Sequence, residues 1–300
     1  MLLALGDETF DVTHRALVMG VLNRTPDSFY DAGRYFALDD LLARADAMVT
    51  DGADLFDVGG VKAGPGEPVG EQEELERVVP AIEALRARFD LPLSVDTWRS
   101  GVLDAALDAG ACVANDISGF ADAGYLDIAA RHRASVVATH IRLAPRVADP
   151  TPEYPEGVVD AVVAACAELA QRAEAAGIPR ERIMVDAGLD LGKTEPMSLE
   201  LLRASDTLAA LGYPVLLSAS NKRFLGEILG LVVADRRLAS VAAHAQGIAL
   251  GCRILRVHDV KGSRRVADLM ATILGAHETA AATATATAAS RPRDRSAAGG

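Results

Sequence analysis

Residues 93–119 read LSVDTWRSGVLDAALDAGACVANDISG. Two short apolar runs, Leu93–Val95 and Cys112–Ala114, each end in a polar cluster, DTWRS and NDISG. A helix-length segment lies between them. A short apolar strand, a polar turn and a helix leading to the next such strand form the unit of a parallel sheet buried on both faces.

The unit recurs in both directions. Further strand candidates are Leu17–Leu22, Leu55–Val58, Ser135–Ala138, Ile183–Val185, Val215–Leu217 and Ile254–Val257. Helical patterns such as Leu41–Val49, Glu73–Arg88 and Val159–Ala175 separate them, the last with Glu168, Arg172 and Glu174 off its apolar face. Eight strands, each followed by a helix, predict an α/β fold, a single (β/α)8 TIM barrel of ~250 residues. A doubly wound sheet shows similar alternation. The barrel is expected over residues 1–276. Residues 277–300, rich in Ala, Thr and Arg, read as a disordered tail. The proline-rich stretch 142–156 reads as a long loop after the fifth strand.

Composition sets limits. Half of the 300 residues are hydrophobic and 24% are charged, enough for a packed core. The net charge of −12 argues against a nucleic-acid partner. The longest charge-free runs, 207–221 and 238–252, fall short of the ~20 residues that cross a bilayer, so no membrane partner is expected. The N-terminal MLLALGDETF lacks the basic start of a secretory signal. Three widely spaced cysteines suit neither zinc nor a disulfide framework, and point to a reduced, cytoplasmic setting.

Polar clusters follow every strand: NRTPDSF, GGVKAGPG, DTWRS, NDISG, HIRLAP, DAGLDLGKT, SASNKRF and RVHDVKG. A barrel assembles its active site from these ends. Asp96, Asn115 and Asp186 follow the third, fourth and sixth strands, and suit a heterocycle bearing several N–H donors. The plain alternative is capping of the helices that follow. Arg256 and His258, two apart on the last strand, share a face and suit a phosphate. Their plain alternative is a surface ion pair.

These clusters, in this order over about residues 15–275, resemble the dihydropteroate synthase family. MGVLNRTPDSFYDAG, DVGG…GPG, SVDT, ANDISG, D.G…GKT, SNK and RVHDV are similar to its signatures. The resemblance implies condensation of a dihydropterin pyrophosphate with p-aminobenzoate in folate synthesis. Pyrophosphate leaves in an SN1-like step and the arylamine attacks. It implies that Asp96, Asn115, Asp186 and Lys222 bind the pterin, that Arg256 and His258 bind pyrophosphate, and that Asn23 lies near a metal, Mg2+. It also implies a homodimer.

Departures cluster on the side of the second substrate. The family's ESTRPG is replaced by VKAGPG, so Ala63 and Gly64 stand for Thr and Arg. SRK becomes Ser220–Asn221–Lys222, followed by Arg223. Arg24 replaces a small apolar residue. MHMQG becomes Thr139–His140–Ile141–Arg142–Leu143, and Asp190 and Leu191 replace a Gly and a Phe. Lys62 brings charge near the lost arginine but not its planar fork. The expectation is a divergent homologue that keeps a site for a pterin-like or phosphorylated small molecule, with standard synthesis weak or absent. An active synthase is the alternative. A pterin-binding methyltransferase barrel is a third reading, disfavoured by RVHD and by the absence of a corrinoid domain after the barrel.

Overall fold

The computed structural model describes residues 1–24 and 34–289. A hairpin comes first, β1 (Leu2–Leu5) and β2 (Glu8–Asp11). Then follow β3 (Leu17–Asn23), α1 (Arg34–Thr50), β4 (Leu55–Gly59), α2 (Glu71–Arg88), β5 (Leu93–Asp96), α3 (Ser100–Asp108) and β6 (Val113–Asp116). The next elements are α4 (Tyr125–Arg131), β7 (Ser135–Thr139), α5 (Val158–Ala175), β8 (Ile183–Asp186), α6 (Glu195–Arg203) and α7 (Ser205–Ala209). The chain ends with β9 (Val215–Leu217), α8 (Arg223–Leu229), α9 (Arg237–Ala249), β10 (Cys252–Val257) and α10 (Val260–Ala289). Strands β3 to β10 are parallel and close into a barrel in chain order, β10 pairing with β3. The expected (β/α)8 barrel is therefore the observed fold, and the open sheet is not.

Side-chain alternation divides the apolar residues into two cores. Phe56, Val95, Ala114, Val136, Val185 and Leu255 face outward against the helices. Leu17, Met19, Leu55, Val113, Val137, Met184, Leu216 and Ile254 face inward and fill the barrel. Helix α2 shows how a helix docks. Val78, Ala81, Ile82 and Leu85 form its buried stripe, with Glu71, Glu73 and Glu74 in its first turn and Arg86 and Arg88 in its last. That charge order complements the helix dipole.

Two features differ from the sequence reading. Six of the eight apolar runs stop one or two residues short of the observed strand, which in five of them ends on a polar residue that still joins the backbone ladder. Asp96 and Asp186 are the last residues of β5 and β8, and Asn115 lies within β6. The expected domain edge at 276 falls inside α10, whose alanine-rich end has high helix propensity. Residues 290–300 of the expected tail lie outside the described residues.

The hairpin β1–β2 is a plug that strand counting missed. Its Leu3 and Leu5 join Val12 and the inward barrel residues in one cluster. The Ser135 hydroxyl donates to the Ala4 carbonyl, and Arg182 donates to the Gly6 carbonyl at 2.8 Å. The plug thus closes the end of the barrel opposite the polar loops. Leu5 is 1% exposed. Leu5→Ala should cost about 2–5 kcal/mol, read from urea unfolding. An unchanged midpoint would mean that the plug is dispensable.

Candidate functional site

Moving two residues along each strand from the apolar tier exposes a polar one. Asp57, Asp96, Asn115, Thr139, Asp186 and Arg256 all face inward by this spacing. Asp57, fully buried, is the centre. It accepts from the Ser94 hydroxyl at 2.6 Å, from Asn115 Nδ2 at 3.2 Å and from Arg256 Nε at 2.7 Å. Arg256 Nη2 also donates to Asp96 at 2.6 Å. Burial alone would lower the Arg256 pKa, but the Asp57 and Asp96 carboxylates outweigh it and raise it. Burial pushes the Asp96 carboxyl up to about 7 despite Arg256, with Asp57 and Glu74 adding repulsion. Sequence reasoning passed over Asp57. Its signal was an acid inside the apolar run LFDVG.

Asp186 closes the tier on the far side. Its carboxyl is raised by burial, against the Gly188 N–H bond at 2.7 Å and the Lys222 and Lys193 charges. Lys222 Nζ donates to the Leu189 carbonyl at 2.9 Å, and burial lowers its pKa against the pull of Asp190 and Asp186. Lys193 was also missed. It is 2% exposed and spends its three protons on His140 Nδ1, the Gly188 carbonyl and the Leu191 carbonyl, at 2.9, 2.9 and 3.0 Å. Burial pulls it down to about 7. The loop it anchors packs too closely for a side chain at Gly188, where a Cβ would lie 2.0 Å from the His140 oxygen and φ is +64°.

The expected anion pair is split in role. Neither residue pairs with a surface carboxylate. Arg256 is held by the buried Asp57 and Asp96. The Ser220 hydroxyl accepts the His258 backbone N–H at 3.1 Å and also bonds His258 Nδ1 at 3.0 Å, which fixes the ring and leaves Nε2 free of that contact. The residue is exposed overall, yet desolvation of the ring, followed by Arg256, Arg44 and Lys222, pushes its pKa down to about 4. His258 is therefore neutral at neutral pH. Asn23 ends β3. A Cβ on Gly59 would meet Asn23 Oδ1 at 3.3 Å and Asp96 Oδ2 at 3.6 Å, so the lack of a side chain there leaves room for both. The rest of the first polar cluster, from residue 25, lies outside the described residues.

The profile of the pterin binding enzymes matches residues 19–258, which span this barrel and its polar tier. The chain belongs to the pterin-binding enzyme family. A Mycobacterium leprae protein called inactive dihydropteroate synthase 2 is 45% identical over 266 residues, covering 87% of this chain and 91% of its own. A Bacillus subtilis dihydropteroate synthase is 39% identical over 262 residues, 87% of this chain and 89% of its own. A Yersinia pestis dihydropteroate synthase crystallised with a sulfonamide drug superposes with a TM-score of 0.85 at 36% identity, covering 92% of this chain and 100% of that one.

Against that pterin-binding family the departures form a connected set. Asn221 and Asp190 both have positive φ, 58° and 64°, which Asn and Asp tolerate better than most residues. Asp190 accepts from the Arg223 backbone N–H at 2.6 Å, tying the loop after β8 to the start of α8. Arg146 donates to the Lys62 and Glu67 carbonyls at 3.0 and 2.5 Å and strings the loop after β4 to the loop after β7. Between these loops lies an open cleft of about 450 Å³. Ala63, Pro65, Ile141, Val147 and Leu191 give it apolar walls, with Arg223 at the edge.

The Asp96 carboxyl supplies a stability test. Between the ordinary value of 3.8 and about 7 the folded chain keeps a proton that the unfolded chain has released. That contribution is complete below the ordinary value and drains away as pH rises through about 7. D96N keeps an oxygen for Arg256 and removes the titration. The unfolding free energy of wild type relative to D96N should fall as pH rises from about 4 to about 8, followed by urea titration. A flat difference would show an Asp96 ionised throughout.

Proposed function

We propose that the barrel mouth binds a pterin and that dihydropteroate synthesis by this chain is weak or absent. The observation that carries the first half is the tier of Asp96, Asn115 and Asp186, buried acceptors held by Asp57, Arg256 and Lys222. An aminopyrimidinone edge offers the N–H groups that such acceptors need. The second half rests on the cleft beside the loop after β4. Ala63 and Gly64 offer no hydroxyl and no guanidinium. Of the two arginines there, Arg146 is spent on backbone carbonyls and Arg223 lies 3.4 Å from Glu227. The 45% identical mycobacterial relative is called inactive, which supports the same reading.

The diphosphate of a pterin substrate would meet the His258 ring and the edge of Arg256. Magnesium belongs to this reading as an ion arriving with that diphosphate. The Asn23 amide oxygen is a hard donor, and among the described residues no group of three or more His, Cys, Asp or Glu forms a cage. One protein oxygen plus phosphate oxygens is a donor set that suits Mg2+. Bound there, it would neutralise charge on the leaving group. A homodimer and a cytoplasmic setting complete the reading. Ile228, Leu229, Val232, Val233 and Leu238 are exposed around α8 and α9 and support self-association. The three cysteines are free, and among the described residues no helix is long and apolar enough to cross a membrane.

Two measurements test the proposal. With magnesium, dihydropterin pyrophosphate and p-aminobenzoate, kcat/KM should lie ~100-fold or more below that of the Bacillus subtilis enzyme. Comparable turnover would favour an active synthase. If turnover is low, A63T, G64R and N221R together should raise it. Gly64 has open space for the new side chain, while the arginine at 221 must take a left-handed backbone. Separately, D186N should weaken pterin binding at least ~10-fold by calorimetry, because it replaces an acceptor-only carboxylate with a mixed group. Unchanged affinity would place the pterin elsewhere.

A further inference from the structure

Two buried side-chain oxygens at the barrel mouth make no hydrogen bond, Asp96 Oδ1 and Thr139 Oγ1. The second has no place in the reading so far. Thr139 is the last residue of β7 and is 2% exposed. Two and four residues before it, Val137 packs inside the barrel and the Ser135 hydroxyl reaches the plug. Strand alternation therefore aims the Thr139 side chain inward, and it sits opposite Asp186 in the β7–β8 register. A buried hydroxyl without a partner destabilises the fold, and threonine can normally rotate to satisfy itself.

We propose that Thr139 is a specificity-determining residue whose hydroxyl bonds the edge of the bound heterocycle. The inference rests on the pterin reading and sharpens its ligand. Asp186 beside it takes N–H donors, so the Thr139 hydroxyl is left to donate to a ring nitrogen or carbonyl oxygen. The site then selects a pteridine-type ring with an acceptor over β7, against rings presenting an alkyl or bare C–H edge there. A methionine here, as in the MHMQG that the sequence departs from, would offer no such proton.

The experiment uses the full chain and a 2-amino-4-oxopteridine as probe, with calorimetry for binding and thermal unfolding of the ligand-free protein. T139V keeps the side-chain shape and removes the hydroxyl. It should weaken binding about fivefold while leaving the ligand-free Tm equal or higher by ~2 °C, since an unpaired buried group is gone. T139S should bind within about twofold of wild type. Opposite signs in affinity and stability are the signature, because a merely structural hydroxyl would lower both. Equal affinity of T139V and wild type, or a clear fall in the ligand-free Tm of T139V, overturns the role of Thr139 and leaves the pterin reading intact. A wild type that binds no pteridine overturns both.

Discussion

Arg256 reaches from the last barrel strand to two carboxylates on the second and third, and the mouth is organised around that bridge. Its Nε and Nη2 engage Asp57 and Asp96 within 2.7 Å. A guanidinium is the one cation whose planar fork can serve two acids at once without losing its charge. Removing it would leave two buried carboxylates facing each other, a far worse state than an exposed broken pair. Asp57 in turn orients Asn115 and Ser94. The inward-facing polar atoms are thus held by one another, and burial beside Asp57 keeps the Asp96 carboxyl protonated up to about pH 7.

The barrel could be read from the sequence because parallel strands buried on both faces leave unbroken apolar runs, and each of the eight was visible. The site was legible where a polar residue ended such a run, as with Asp96 and Asp186. It was obscure where the polar residue stood inside the run. Asp57 was hidden by Val58 and Gly59, which restore the apolar look of the strand. Lys193 was hidden for another reason. Its partners are backbone carbonyls and His140, which no spacing rule connects. The plug was hidden because LLAL and ETFD are too short to stand out and belong to no repeating unit.

The changes at the rim read differently in three dimensions than in a line. Asp190 stands where a left-handed turn would favour glycine, and it adds a carboxylate that holds the backbone of Arg223. Asn221 occupies a left-handed position one loop away, its own N–H held by Ser240 at 3.0 Å. Arg146 binds the loop after β4 through the carbonyls of Lys62 and Glu67. Asp190 and Asn221 are each tied to a neighbouring segment by these contacts.

The plug also has a consequence for how the chain is made. The hairpin precedes every barrel strand in the sequence, yet it contacts residues as far along the chain as Ser135 and Arg182. Arg182 holds the Gly6 carbonyl, and Arg253, on the final strand, holds the Thr13 carbonyl at 3.0 Å. Docking of the hairpin is therefore complete only once the chain through Arg182 has been made. Long-range closure of this kind is slow, and the open bottom of the unfinished barrel exposes apolar surface meanwhile. The newborn chain is most vulnerable to aggregation in that interval, and the N-terminal segment, when it docks, is what ends it.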